Sequence, residues 1–503
     1  MEQHTEAVAG IADKVRHLYE HKTPFRIYHG STNSTRQSQF HHDEMIDTSH
    51  LRHVISIDLE GKFALVEPNV AMDALVEETQ KHGLIPPVVM EFPGITVGGG
   101  FSGTAGESSS FKFGFFDRTV DWIEIVLANG DVVVASHTED PDLLYGAACA
   151  FGTLGVITLL RVRLVAASSF VELAYHPFSN LDQAMDEIKR ATNDITVDYV
   201  DGMLFSRSNG MICVGRRTDI SDGTKIQRFT RARDPWFYLH AQKKFKRPSN
   251  DVIPLYDYLF RYDRGAFWTG MYAFKYFMVP FNRITRFLLD PLLHTRVMYH
   301  ALHKSGHSKI YVIQDIAMPY EAIPEFIDYV DQEFGFYPLW LCPLRQRGLH
   351  ENSPYGLLAE KPHGPAPETM LNVGIWGPGP SDHRLFIEAN LRLEQKVMEL
   401  KGEKWLYAHT YYTEHEFWSM HNRKEYEELR TKFHAAHLPS IYDKVKVGIP
   451  SEVEKPSTWI LWLLTLFWSI WPFSGIYGVL EAALGGDYLL SPKQVKRGKQ
   501  KHE

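Results

Sequence analysis

Apolar and polar residues alternate in two early pairs of runs. Residues 54–67 contain two β-rich stretches that meet at Glu60-Gly61, which predicts a hairpin. Residues 123–136, IEIVLANGDVVVAS, alternate on both sides of Asn129-Gly130. That pair suits a two-residue type I′ turn, whose central positions both need positive φ. Between them, Met72, Leu75, Val76 and Thr79 recur at helical spacing and Gly83 ends the run, predicting a short helix. A short strand is predicted at Phe25-Arg26-Ile27 and a long one from Val156 to Val165, the latter after a short helical stretch that follows Asp140-Pro141. Strands with few short helices indicate an α+β fold with a mixed or antiparallel sheet rather than alternating βαβ units. Past residue 168 the pattern changes. Segment 229–300 is dense in aromatics, Trp236, Phe267, Trp268, Tyr276 and Phe277 among them, interleaved with Arg261, Arg264 and Lys275. Such a cluster is a packed core, or else a membrane-facing or apolar-ligand wall. After Thr410 helical spacing returns with Tyr426, Leu429, Arg430 and Phe433, and no internal repeat is visible.

The chain has 503 residues, enough for two to four domains. Its net charge of −8 gives no global reason to expect nucleic acid. Cys149, Cys213 and Cys342 are too few and too scattered for a disulfide framework or a zinc site, so a reducing compartment and no metal are expected. The first twenty residues carry charge throughout, and no secretory signal is expected. From Pro456 to Leu480 there is no formal charge. As one helix this run would span about 37 Å against a hydrocarbon core of about 30 Å. Pro472, Gly475 and Gly478 interrupt it, favouring a re-entrant or interfacial anchor over a full span, with a buried terminal helix as the alternative. The basic tail, with Lys493, Lys496, Arg497, Lys499 and Lys501, suits anionic lipid.

Residues 98–103, Gly-Gly-Gly-Phe-Ser-Gly, match G-x-G-x-x-G literally. The dinucleotide mechanism behind that pattern needs a helix opening at the last glycine and an acid ending a second parallel strand. Here TAGESSS follows, which opposes a helix, and Glu124 lies inside a hairpin arm. The segment reads instead as a loop of small residues whose backbone N–H groups approach an anion. Tyr28 to Arg36, YHGSTNSTR, has the same qualities, and Gly152 to Gly155 is a third glycine motif. Singly these are tight turns as readily as binding loops; jointly they point to a dinucleotide held between loops.

The order of these motifs resembles the FAD-binding domain of the vanillyl-alcohol-oxidase (PCMH) type, and is most similar to the delta(24)-sterol reductase (24-dehydrocholesterol reductase) family. The strings carrying it include PPVVMEFPGITVGGGFSGTAGESSSFKFG, RYDRGAFW (261–268), MVP (278–280), VIQD (312–315), YPLWLCP (337–343), LYAHTYYTEHEFW (406–418) and PSIYDKV (439–445). The likeness covers roughly residues 20–450. It implies a two-subdomain FAD-binding domain at 1–168, an α+β substrate or cap domain at 169–405, and an element at 406–450 packing on the flavin domain. The apolar membrane-associated segment 456–485 and the basic tail 486–503 complete the division.

By that resemblance the FAD diphosphate is held within Thr96, Val97, Gly98, Gly99, Gly100, Gly103, Thr104, Gly106, Glu107 and Ser108. His29, Gly30, Ser31, Thr32 and Asn33 form the other loop, and Gly152, Thr153, Gly155, Val156 and Ile157 lie near the adenosine half. The chain departs from the family in lacking its usual opening hydrophobic anchor, in Phe111 where a histidine is usual, and in His409 where an aspartate is usual. The implied activity is reduction of a sterol side-chain double bond with noncovalent FAD, and NADPH as a transient donor for which no second nucleotide motif is present. An unactivated alkene must be protonated before it accepts hydride, so one well-placed acid is required. Tyr411, Lys112, Glu416 and His409 are candidates by type, with Tyr411 taken as donor and Lys112 as the group orienting the flavin. Expected partners are a sterol or other apolar substrate and a membrane, with the catalytic domain on the cytosolic side of the endoplasmic reticulum. Two alternatives stay open: an FAD oxidase or dehydrogenase of an alcohol or hydroxy acid, and a non-catalytic flavin- or lipid-binding protein.

Overall fold

The N-terminal segment, to which the apolar pattern assigned no element, forms a 19-residue helix, Glu2–Glu20. His4, Val8, Ile11, Val15 and Leu18 lie on one face at helical spacing and are buried. The computed structural model describes residues 1–30, 34–35, 42–220, 225–346, 367–447 and 470–485. β1 (Arg26–Tyr28) pairs in parallel with β2 (Met45–Asp47). The predicted hairpins are β3 (Val54–Asp58) with β4 (Phe63–Val66), and, after the short β5 (Leu84–Ile85), β6 (Val120–Leu127) with β7 (Val132–Ser136). β8 (Gly155–Arg163) is the long strand, and β9 (Val165–Ala166) returns to pair with β5. The sheet order β3-β4-β8-β6-β7 is antiparallel throughout. The helix Met72–Gln80 buries the four residues whose spacing predicts it.

Two residues of the sheet region clamp the first helix. His4 Nδ1 lies 2.8 Å from Glu67 and Nε2 lies 3.1 Å from Glu124 of β6. Hydrogen bonds to Glu124 and then Glu67 hold the imidazole up at about 9 against its ordinary 6.5. A folded-state pKa above the unfolded one stabilises fully below the unfolded value, and that contribution is lost as pH rises through the folded one. Thermal unfolding of the wild type should therefore move to lower temperature between pH 6.5 and 9. The same scan on His4→Gln should show a shallower fall, and equal slopes would mean that the clamp does not titrate.

The second sheet contains β10 (Phe170–Phe178), β11 (Tyr199–Leu204), β12 (Gly210–Thr218), β13 (Asp251–Pro254), β14 (Tyr311–Met318), β15 (Leu339–Arg345), β16 (Thr369–Pro378) and β17 (Glu403–Lys404). Their order is β13-β10-β12-β11-β15-β16-β14-β17. Two β-α-β-β units meet at β11 and β15, one carrying the helix Leu181–Thr192 and the other Ile323–Glu333. This structural repeat is invisible in the sequence because it resides in strand order and alternation, not in residue identity. Val200, Leu204, Leu339, Leu341, Val312 and Ile316 face the helices, while their alternate neighbours face the first domain.

The aromatic segment 229–300 crosses that second face. Trp236, Phe237, Tyr262 and Trp268 are core residues, and Arg261 and Arg264 are buried ion-pair members rather than membrane-facing cations. At the far end, Phe473–Leu484 is a 12-residue helix. Among the described residues no helix is long and apolar enough to cross a membrane. Residues 456–469 of the apolar run and the tail 486–503 lie outside the described residues.

Candidate active site

A cavity of about 520 Å³ is lined by residues of the regions that carry the first and the second sheet. On the first-domain side the wall is backbone. Gly98, Gly99, Gly103 and Gly106 line it from one segment and Gly152 and Gly155 from another, together with His29, Thr96, Glu107 and Ile157. Part of the expected loop is helical. Thr96 caps the helix Val97–Ser102, its hydroxyl accepting from Gly99 N–H at 3.1 Å, and Val97 and Phe101 are buried beneath. The cap and that packing offset three glycines. The cap has a consequence for anion binding: the N–H groups of Val97, Gly98 and Gly99 already donate to Val70 O, Pro68 O and Thr96 Oγ1.

The remaining sequence candidates divide. Val97, Gly100, Thr104, Ser108, Thr153, Val156 and Gly30 are not on the cavity wall. Gly100 is glycine for packing, since a Cβ there would meet Met90 Cε at 2.3 Å. Thr153 Oγ1 takes the Tyr426 hydroxyl at 2.9 Å, Ser108 O takes Val200 N–H at 2.8 Å, and Thr104 O takes the Trp405 indole at 2.8 Å. These residues fasten other elements to the wall rather than forming it. Ser31, Thr32 and Asn33 lie outside the described residues.

None of the four acid candidates lines the cavity. The Tyr411 ring is buried in the core behind the second sheet, in the helix-facing cluster. Lys112 Nζ bonds Asp198 and the carbonyls of Ile195 and Val197, so its charge is held away from the flavin loops. Glu416 completes a capping box with Thr413, and His409 meets the Thr35 hydroxyl. Tyr411, expected to donate a proton, and Lys112, expected to orient the flavin, are thus both placed off the cavity wall.

The acids that do line the cavity are Glu91, Glu107 and Asp315. Glu91 and Glu107 come from the first domain, while Asp315 follows Tyr311 and Ile313 on the inward face of β14. Tyr407 OH donates to Asp315 at 2.6 Å and Asn372 Nδ2 at 2.8 Å. Burial lifts Asp315 to about 6 despite those bonds. Burial also lifts Glu91 to about 7, opposed by the Arg261 guanidinium 2.7 Å away. Glu107 is pushed well above the usual carboxylate range, first by burial and then by the charges of Glu91 and Asp315. That shift favours its neutral, proton-carrying form. Two of these acids interrupt otherwise apolar stretches, PPVVMEFPGIT for Glu91 and YVIQDIAM for Asp315. An isolated carboxylate in an apolar run is a sign of a partnered buried group, and that signal was available in the sequence.

Phe267, Trp340 and Trp376 form an aromatic wall of the cavity, the two tryptophans on the sheet that carries Asp315. Phe267 and Trp376 centroids are 4.3 Å apart and those of Trp340 and Trp376 5.8 Å. A further arm carries Phe277, Leu292, Met298 and Leu302.

The family model described as FAD binding domain matches residues 5–136. The delta(24)-sterol reductase of Arabidopsis thaliana is 30% identical over 442 residues, covering 81% of this chain and 78% of that protein. The chain belongs to the delta(24)-sterol reductase family. The Mus musculus delta(24)-sterol reductase is 28% identical over 405 residues, 78% of this chain and 76% of its own length. Cytokinin dehydrogenase 4 of Oryza sativa subsp. japonica is 31% identical over only 141 residues, 27% of this chain and 26% of its own. The family's cofactor fits the residues present. His29 has a buried Nδ1 without a hydrogen-bond partner among the described residues, and burial holds the ring neutral by lowering it to about 4. Gly152, at φ +73°, brings bare backbone to the cavity where a Cβ would strike Ile27 Cδ1 at 2.4 Å. His29, Gly106 and Gly152 would hold FAD, with Gly98, Gly99 and Gly103 giving it close approach rather than N–H donors, since theirs are already bonded.

Proposed function

We propose that this chain is an FAD-dependent oxidoreductase reducing the side-chain delta-24 double bond of a sterol, with NADPH as the electron source. Likeness to the family over four-fifths of the chain supports the reaction, and the matched FAD binding domain supports the cofactor. One observation carries the reading: a glycine-lined surface, a buried carboxyl whose pKa is raised and an aromatic wall share one cavity. A hydroxy acid would find no such match in the apolar arm of Phe277, Leu292, Met298 and Leu302.

Glu107 is the proton source in this reading. Its O–H bond breaks as a C–H bond forms at the less substituted alkene carbon, leaving the positive charge on the tertiary carbon. FAD, held by His29 and the glycine backbone, would when reduced supply the hydride that completes the saturation. Trp340, Trp376 and Phe267 exclude water and present π faces to that charge. Tyr407 and Asn372 hold Asp315 beside the acid, and Arg261 balances Glu91.

The finer organisation belongs to the same reading: a two-subdomain flavin unit at 1–168, a substrate domain at 169–405 and a returning element at 406–450. Bonds from Tyr426 to Thr153 and from Lys444 to Phe151 O support the return of that element. FAD is noncovalent, and the protein works on the cytosolic face of the endoplasmic reticulum, tied to it through the segment 456–485.

The test is anaerobic. The protein purified in mild detergent should show a flavin spectrum that NADPH bleaches and a delta-24 sterol restores. A flavin that NADPH leaves oxidised, or that only oxygen restores, would replace this reading with the oxidase one.

A further inference from the structure

Large apolar side chains exposed to solvent are unevenly placed. Of nineteen among the described residues, eleven fall within 278–288 and 470–484. Met278 is 71% exposed, Ile284 70% and Leu288 68%, and on the terminal helix Leu480 is 55% and Leu484 81% exposed. The two segments form one surface. The Trp471 indole donates to Tyr276 O at 2.6 Å, and Gly475 lies against Tyr276 and Phe277. Gly475 and Gly478 turn the other face of the terminal helix inward, Gly478 against the helix Thr295–Ser305.

The base of this surface is also the end of the cavity. Phe277, Leu302, Gly475 and Val479 line the cavity's apolar arm, and Met278, Ile476 and Leu480 are their exposed neighbours in the chain. Its charge is one-sided. Between Gly270 and Leu289 the charged residues are Lys275, Arg283 and Arg286, with no acid. Lys275 and Arg283 are exposed. Glu481 of the terminal helix faces Lys304 at 3.6 Å. An apolar surface this size is unusual on a monomer in water and marks an interaction site. Cations beside it match anionic headgroups, and tryptophan suits the level where apolar and polar layers meet. Residues 456–469, which precede Ile470 in the sequence, carry no formal charge.

We propose that residues 278–288 and the outer face of Phe473–Leu484 dock flat on an anionic lipid bilayer, and that the apolar arm of the cavity opens there so that the substrate enters from the lipid. The proposal rests on the sterol reading for its substrate but not for its docking face. All three native cysteines are buried, so a single introduced cysteine can carry an environment-sensitive fluorophore. Labelled full-length Leu288→Cys and Leu480→Cys should shift to the blue when phosphatidylcholine–phosphatidylserine vesicles are added. Leu385→Cys, 52% exposed and outside the surface, should not shift. No shift at positions 288 and 480 would overturn the docking face. A shift driven by protein concentration without lipid would overturn it in favour of a second copy of the chain.

The entry route is read separately. Ile284→Glu/Leu288→Glu should turn over sterol from vesicles at least about tenfold more slowly than wild type, yet match it when the sterol is carried by cyclodextrin. Equal rates from vesicles would overturn the entry route. Absence of turnover from either carrier in the wild type would refute the sterol reading, while the label positions would still decide the docking face.

Discussion

Replacing Glu107 with glutamine should lower turnover of a delta-24 sterol by about 10²–10⁴-fold, the range a general acid commands, with the flavin still bound. The substitution keeps the side chain's size, and the Glu107 backbone bonds to Ser110 do not involve the carboxyl. Glutamine cannot release a proton to carbon. The wild-type rate should fall on the alkaline side, at a pH above the ordinary carboxylate range, because the acid must be protonated and its pKa is raised. As Asp315 ionises near 6 and Glu91 near 7, their charges hold the Glu107 proton more firmly, so the alkaline limb should move to lower pH in Asp315→Asn. Stopped-flow reoxidation of the reduced protein by sterol reads the rate, and the visible spectrum reads flavin content. A Glu107→Gln protein within a few-fold of wild type would transfer the role to Glu91 or Asp315.

Arg261→Met should destabilise the protein by about 3–5 kcal/mol, the usual cost of stripping one partner from a buried ion pair. Arg261 is 1% exposed and holds Asp201 at 2.9 Å and Glu91 at 2.7 Å, with its Nη1 donating to Tyr258 O at 3.0 Å. It therefore links the aromatic segment, the second sheet and the first domain at one point. Its guanidinium also lies over the rings of Tyr258 and Tyr262, at 4.1 and 4.6 Å. Removing it leaves two carboxylates without their cation in a dry interior. Denaturant midpoints for Arg261→Met and for Arg261→Met/Asp201→Asn measure this. The double variant should recover part of the loss, because a neutral amide keeps the bonds from Tyr262 OH at 2.6 Å and Trp340 Nε1 at 3.2 Å. Equal midpoints for wild type and Arg261→Met would mean the pair carries no stability.

The sequence by itself determined what depends on near neighbours. The Asn129-Gly130 hairpin, the helix Met72–Gln80 and the strand after Gly155 follow from turn chemistry and from periods of 2 and 3.6 within one element. The glycine segments announced much of the backbone that lines the cavity, and the strings shared with the family announced the reaction class. Tertiary structure decided which charged groups meet. Glu91, Asp201, Arg261 and Asp315 come from four separate stretches, and no spacing rule connects them. Tyr411 illustrates the difference. Its type suits proton transfer, but the packing of the second sheet against its helices places the ring behind the sheet, away from the cavity. Glu107 was legible only as a member of the glycine loop. The rise in its pKa comes from burial and from two other carboxyls brought beside it, a through-space effect of the folded chain that a linear pattern does not encode.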